Sequence, residues 1–171
     1  VGAFGENRWF VYVAAFGLFT GVSYQTPQED KQVLGRLAYF LHGVKALGEV
    51  KPIHARVEFE DQVLELDVPD GLVCSTTSVG GVLALDSLGI SLNDGQSELL
   101  LVRDIKNLID FNNVSTALLK SDFRSNENIV SQKIRRARFT FDEPVDWTLD
   151  GEYGGTVRDV EIVNHQRAIN I

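Results

Sequence analysis

The sequence predicts a mainly β domain, a β-sandwich with crossing strands that carries one long capped helix (about 27–47) and a second, shorter helix (about 104–122). Three observations lead there. Apolar residues alternate with polar ones at period two through Ile53–Phe59, Leu64–Val68 and Lys133–Phe141, as in strands with one wet face. The run Arg8-Trp9-Phe10-Val11-Tyr12-Val13-Ala14-Ala15-Phe16 is dense in aromatic and β-branched residues, as a buried strand is. One stretch also combines an N-terminal cap with a sustained three- and four-residue apolar step, which is the signature of an amphipathic helix.

In chain order, a first strand is expected over 8–16, with Gly17 and Gly21 marking a bend or a close backbone approach after it. Thr26-Pro27-Gln28-Glu29 reads as a capping box. The Thr26 hydroxyl accepts from the Glu29 backbone N–H, the Glu29 carboxylate reaches back, and Pro27 stands where a missing N–H costs nothing. Val33, Leu34, Leu37, Leu41, Val44 and Leu47 then line one face, and Gly48 ends the helix. Such a helix is roughly 30 Å long. After Pro52 the alternating segments form a hairpin that turns at Glu60-Asp61-Gln62. Gly71–Val79 reads as another strand, Gly80–Gly95 as a loop and Glu98–Val102 as a short strand. Ile105, Leu108, Ile109, Leu118 and Leu119 space the shorter helix. Further strands are expected near Val145–Leu149 and Val157–Val163, before a terminal run to Ile171.

The 171 residues suit one domain, large enough to bury roughly 70% of its unfolded surface. With 44% apolar and 23% charged residues, the chain is neither disordered nor collagen-like. Its 24 acidic against 16 basic side chains leave a formal charge of −8, so no nucleic-acid partner is expected, because such binding neutralises phosphates with Lys and Arg. The longest apolar run, Trp9–Phe19, falls short of the ~20 residues that span a bilayer. Cys74 is the lone cysteine. It cannot form an intramolecular disulfide, suits a reducing, cytoplasmic setting, and is expected in the core rather than as a reactive thiol. The absence of methionine, position 1 included, leads us to expect a piece of a longer protein.

No GxxxxGK[ST] or GxGxxG phosphate loop and no GxSxG elbow occurs. His42, His54 and His165 are scattered over different segments, which argues against a histidine metal site. Two acidic, glycine-punctuated strings remain. Leu92-Asn93-Asp94-Gly95 can either turn on an Asx motif or gather oxygens around a hard cation. Leu149-Asp150-Gly151-Glu152 is either a hairpin turn with a surface Glu or the seat of a carboxylate base. In Lys133-Ile134-Arg135-Arg136-Ala137-Arg138, alternation puts Arg136 and Arg138 on one face. That face is either solvated or a patch for anionic headgroups or a nucleotide-bearing domain.

Taken in order, Phe10-Val11-Tyr12-Val13-Ala14-Ala15-Phe16-Gly17, Leu34-Gly35-Arg36-Leu37-Ala38-Tyr39, Lys51-Pro52, Leu92-Asn93-Asp94-Gly95 and Leu149-Asp150-Gly151-Glu152-Tyr153-Gly154-Gly155 resemble the C-terminal, lipid-side domain of the diacylglycerol kinase and sphingosine kinase superfamily in its bacterial soluble form. The resemblance covers nearly the whole chain, 1–171, as one such domain. It departs at Tyr12, where the family commonly has Asn, and at Leu85-Asp86-Ser87, where Pro-Asp or Pro-Asn is common. The Val79-Gly80-Gly81-Val82 segment is also shorter than the family's glycine-rich stretch. The family's N-terminal nucleotide-binding domain, with its Gly-Gly-Asp-Gly-Thr signature, is absent from this chain.

The resemblance implies a β-sandwich with a flanking helix and an ATP-dependent kinase acting on the hydroxyl of diacylglycerol or a related lipid. Glu152 would be its general base. Asp94, with backbone carbonyls of Ser91 and Gln96, would hold a structural Mg²⁺. ATP as co-substrate, the lipid, peripheral contact with a membrane from the cytoplasm, the nucleotide-binding domain and a second copy in a homodimer are the partners it admits. This chain alone would be inactive. The rival expectations are a kinase for a sphingoid-type lipid alcohol and a non-catalytic β-sandwich binding module on the same scaffold.

Overall fold

A fourteen-residue strand, β11 (Arg136–Leu149), organises the fold. It is seen in a computed structural model that describes residues 1–17, 51–79, 83–84, 94–103, 105–120, 122–123 and 125–168. One edge of β11 runs against β12 (Glu152–Asn164), while its other edge is shared. Ala137–Phe141 pair with β4 (Ile53–Phe59), and Trp147–Leu149 pair with β3 (Val13–Gly17). The change of partner falls at Asp142-Glu143-Pro144, which are exposed and sit where the register against β12 shifts. Pro144 lacks the N–H that a continuous ladder needs, so an irregularity here is the expected outcome.

From β11 the sheet therefore branches. One branch continues through β3, β6 (Asp70–Cys74), β9 (Ser97–Val102) and β10 (Ile129–Ile134), and the other adds β4 and β5 (Gln62–Val68). Beyond β12 lie β1 (Gly2–Phe4) and β2 (Arg8–Phe10). All these pairs are antiparallel and make one ten-stranded sheet, where two separate sheets were expected. A two-residue pair, β7 (Ser78–Val79) with β8 (Leu83–Ala84), stands apart.

Both branches feed one apolar core. Phe16 of β3 lies 4.8 Å from Trp147 and 5.1 Å from Phe141, ring centre to ring centre, and Phe139 meets Trp147 edge-on at 5.2 Å. Edge-to-face pairs of this kind add about 0.5–1.5 kcal/mol each beyond area burial. Ala55, Val57 and Phe59 of β4 close the same core from the other branch, as their alternation with His54, Arg56 and Glu58 predicts.

The far face of β3, β6 and β9 is covered by helix α1 (Leu108–Lys120). Its Val114 and Ala117 pack with Ala15, Leu72, Cys74 and Leu100. This is the shorter of the two anticipated helices, and its start is set by Asn107. The Asn107 carboxamide oxygen accepts the N–H groups of Ile109 (2.8 Å) and Asp110 (2.9 Å), while Asp110 answers by accepting from Lys106 N–H. Together these satisfy donors that the first helical turn leaves open. The long capped helix anticipated over about 27–47, and the glycine-rich stretch 80–82, lie outside the described residues.

Several strand boundaries differ from the sequence expectation. The strand expected over Gly71–Val79 is divided into β6 and β7, β8 falls within the expected loop Gly80–Gly95, and the strand expected near Val145–Leu149 is the end of β11. The alternating run Lys133–Phe141 is divided at Arg135, whose N–H leaves the ladder to donate to Glu60 Oε1 at 2.9 Å. The run 8–16 is divided into β2 and β3, because Val11 and Tyr12 turn outward.

Candidate functional site

The outward turn at Val11-Tyr12 and the turn between β11 and β12 are parts of one construction. Asp150 and Gly151 both have positive φ, 51° and 92°, and Leu149 pairs with Glu152. This is the two-residue hairpin whose twist matches the flanking strands, and Asp-Gly is among the sequences best suited to it. Glu152 is thus the first residue of β12, and it is exposed.

The Asp150 carboxylate reaches across to the start of the chain. Its Oδ2 accepts the Val11 N–H at 2.7 Å, and its Oδ1 accepts those of Tyr12 (2.8 Å) and Val13 (2.9 Å). The Asp150 N–H in turn donates to the Val13 carbonyl at 2.8 Å. Three successive N–H groups converging on one carboxylate satisfy backbone donors that would otherwise interrupt the strand. They also explain why residues 11 and 12 cannot continue β2.

A second tie lies just beyond Glu152. The Arg8 guanidinium donates to the Gly154 carbonyl and rests over Gly155, where a Cβ would fall on it. Gly155 has φ +103°, a conformation suited to glycine. The Gly154-Gly155 pair therefore admits a cation against β12. Around the turn, Tyr153 is exposed with its hydroxyl 2.6 Å from Thr156 Oγ1, and Thr156 donates to Asp146. Of the six exposed large apolar side chains among the described residues, Trp9, Val11, Tyr12 and Tyr153 belong to these two chain segments.

The other acidic string ends in an Asx turn: Asp94 Oδ1 accepts the Gln96 N–H at 3.0 Å. Asp94 Oδ2 faces Lys133 Nζ at 3.4 Å, and the same ammonium lies 3.6 Å from Oε1 of the buried Glu98. Gly95, at φ +73°, sits against Gln166, just past the end of β12. Asp94 and Glu152 therefore lie toward opposite ends of that strand rather than in one cluster. Ser91 is outside the described residues. Asp94 and Gln96 bring compact oxygen donors of the type Mg²⁺ takes, with a lysine already sharing the carboxylate. Among the described residues, no three His, Cys, Asp or Glu side chains gather as a metal site.

Arg138 is committed rather than free. It binds Asp159 through two N–H groups, at 2.8 and 3.0 Å, and this pairing holds the Asp159 carboxyl below its ordinary range. Arg136 shares its exposed face. Cys74 lies in the interior, where burial pushes its thiol up to about 12. His54 pairs with Asp67, and His165 lies against Trp9.

Sequence reasoning singled out Glu152 and Asp94 but missed the parts played by Arg8, Asp150 and Lys133. The adjacent glycines at 154 and 155 were the available signal for Arg8. Nothing local signals that Asp150 bonds to residues more than 130 positions away.

Comparison with known proteins follows the same outline. No protein-family profile matches the chain. It is 34% identical over 168 residues to the diacylglycerol kinase of Bacillus subtilis (strain 168), covering 97% of this chain and 54% of that protein. It is 28% identical over 166 residues to the diacylglycerol kinase of Staphylococcus haemolyticus (strain JCSC1435), covering 97% and 49%. The chain thus spans about half the length of the curated relatives it matches. A crystal structure from Bacillus anthracis str. Sterne, assigned to the diacylglycerol kinases, shares the fold with a TM-score of 0.67 at 17% identity, covering 99% of this chain and 57% of that one. Among the described residues no helix is long and apolar enough to cross a membrane.

Proposed function

We propose that the chain, 34% identical over 97% of its length to the diacylglycerol kinase of Bacillus subtilis, is the substrate-side, C-terminal domain of an ATP-dependent lipid kinase. The observation that carries the reading is the presentation of Glu152, an exposed carboxylate on a turn fixed by Asp150. The acceptor is the hydroxyl of diacylglycerol or a related lipid alcohol.

In this mechanism Glu152 takes the hydroxyl proton as the lipid oxygen attacks the γ-phosphorus of ATP. The new O–P bond forms as the bond to the β,γ-bridging oxygen breaks, and ADP leaves. Phosphoryl transfer asks a protein mainly to position reactants and balance charge, so a base aimed at the acceptor oxygen is a fitting contribution from this side. A separate N-terminal nucleotide-binding domain would bring ATP to the other side of the cleft. Asp94, with the carbonyl oxygens of Ser91 and Gln96, would hold a Mg²⁺ whose charge fixes the loop before β9. The exposed Val11, Tyr12 and Tyr153 side chains beside the turn offer amphipathic contact for peripheral docking on a lipid surface from the cytoplasmic side.

The test is transfer of radioactive phosphate from ATP to diacylglycerol in mixed micelles by the full-length protein, with Glu152→Gln beside it. Labelling by the wild type, and a loss of two or more orders of magnitude in the variant, is the expected result; a general base contributes about that much. Activity that survives the substitution removes Glu152 as the base. No labelling of any lipid alcohol points to the non-catalytic binding module on this scaffold.

A further inference from the structure

Glu152 has no hydrogen-bond partner for its carboxylate among the described residues, so its placement depends on the backbone that carries it. That backbone is tethered at Asp150. We infer that Asp150 is a positioning residue for Glu152, acting through the consecutive N–H groups of Val11, Tyr12 and Val13. The inference rests on the reading of Glu152 as the base.

The physical case begins with the turn itself. A two-residue hairpin tip is among the parts of a fold most prone to open locally, since few contacts hold it. Here the tip is sewn to the β2–β3 junction by four hydrogen bonds: three N–H groups into the carboxylate, and the Asp150 N–H onto the Val13 carbonyl. Bonds to an ionised carboxylate are roughly twice as strong as neutral ones. The pairing of Leu149 with Ala14 continues the same contact into the sheet. Glu152 follows two residues later, so any rotation of the Asp150 peptide moves its carboxylate. A displacement on the order of 1 Å can cost about a hundredfold in rate.

The donor geometry makes the effect of one substitution specific. Asparagine offers a single acceptor oxygen. Placed at the Oδ1 position it keeps Tyr12 and Val13, and its NH₂ group then confronts the Val11 N–H. In Asp150→Asn the Val11 amide should therefore exchange with solvent faster than those of Tyr12 and Val13. Exchange measured by NMR reads this without any assay of activity.

The deciding experiment is a double-mutant cycle in the full-length protein, using Asp150→Asn, Glu152→Gln and both together, with ATP and diacylglycerol micelles. Asp150→Asn alone should lower kcat about ten- to a hundredfold with little change in KM for the lipid. In the Glu152→Gln background it should cost nothing further, because a residue that acts through Glu152 has nothing left to position. An equal loss in both backgrounds overturns the inference and makes Asp150 a general structural residue. So does an unchanged kcat in the single variant. If Glu152→Gln alone keeps full activity, the base reading fails and this inference falls with it, an outcome the single variant reveals by itself. Should Asp150→Asn fail to fold, Asp150→Glu, which keeps the charge but moves it, goes through the same cycle with the same criteria.

Discussion

Oδ2 of Asp94 lies 3.4 Å from Nζ of Lys133, and that ammonium stands 3.6 Å from Oε1 of Glu98. The Glu98 side chain is only 4% exposed, so Lys133 supplies positive charge where a carboxylate has lost most of its water. Lys133 also ties the Asp94 turn to β10, two strands from β6. Replacing it with Gln should destabilise the fold by about 1–2 kcal/mol, less than a fully buried pair because Lys133 keeps some solvent. Urea unfolding with an unchanged slope would show this. A midpoint that does not move would mean that other groups hold Glu98.

Gly151 and Gly155 make a matched pair of tests for the other end of β12. Both have positive φ, 92° and 103°, yet nothing lies within 4 Å of a Cβ at Gly151, while one at Gly155 falls on the Arg8 guanidinium. Gly151→Ala should cost only the backbone penalty, about 1 kcal/mol. Gly155→Ala should cost about 3 kcal/mol, since Arg8 must also leave its place on the Gly154 carbonyl. Combining Gly155→Ala with Arg8→Ala should recover part of that difference, because the clash is gone. Equal costs at the two positions would show that Arg8 does not rest on Gly155.

Which parts of this fold were legible depends on how many faces of each strand are wet. His54, Arg56 and Glu58 face solvent while Ala55, Val57 and Phe59 do not, so β4 and its turn at Glu60-Asp61 could be read directly. In β6 and β9 the helix covers one face and the core the other, so Leu72-Val73-Cys74 and Leu99-Leu100-Leu101 are buried throughout. Such runs declare a strand but not its neighbours. Val11 and Tyr12 misled for a different reason. Their side chains suit a buried strand, and what turns them outward is the Asp150 carboxylate, contributed from the far end of the chain. Glu152 could be placed beside a turn from Asp-Gly alone, but the chemical role proposed for it comes only with the resemblance. Asp94 in the same way reads locally as the Asx turn that the structure contains.

His54 and Asp67 face each other across the β4–β5 hairpin, with Nδ1 2.8 Å from Oδ1. That hydrogen bond raises the histidine above its ordinary 6.5 in the folded state. A raised folded value means the pairing contributes its full stability below 6.5 and loses it as pH climbs through the folded value. In an NMR titration, Asp67→Asn should bring the His54 midpoint back down toward 6.5. The pH dependence of the urea midpoint in that window should flatten with it. A His54 midpoint that stays put in the variant would assign the shift to other carboxylates instead.

Cys74 is fully buried at the middle of the sheet, paired with Val13 on one side and Glu98 on the other. Burial pushes its thiol up to about 12, and it is the thiolate that attacks a disulfide reagent and expels its leaving thiolate. The folded protein should therefore react with an aromatic disulfide only during openings that bring β6 into water. Because β6 lies inside the sheet, those openings should be global rather than local. Labelling in the native state should then be slow, and its rate should rise with urea along the slope of the equilibrium unfolding curve. Labelling whose rate ignores urea would mean that β6 reaches solvent by a local route, and that α1 covers it only part of the time.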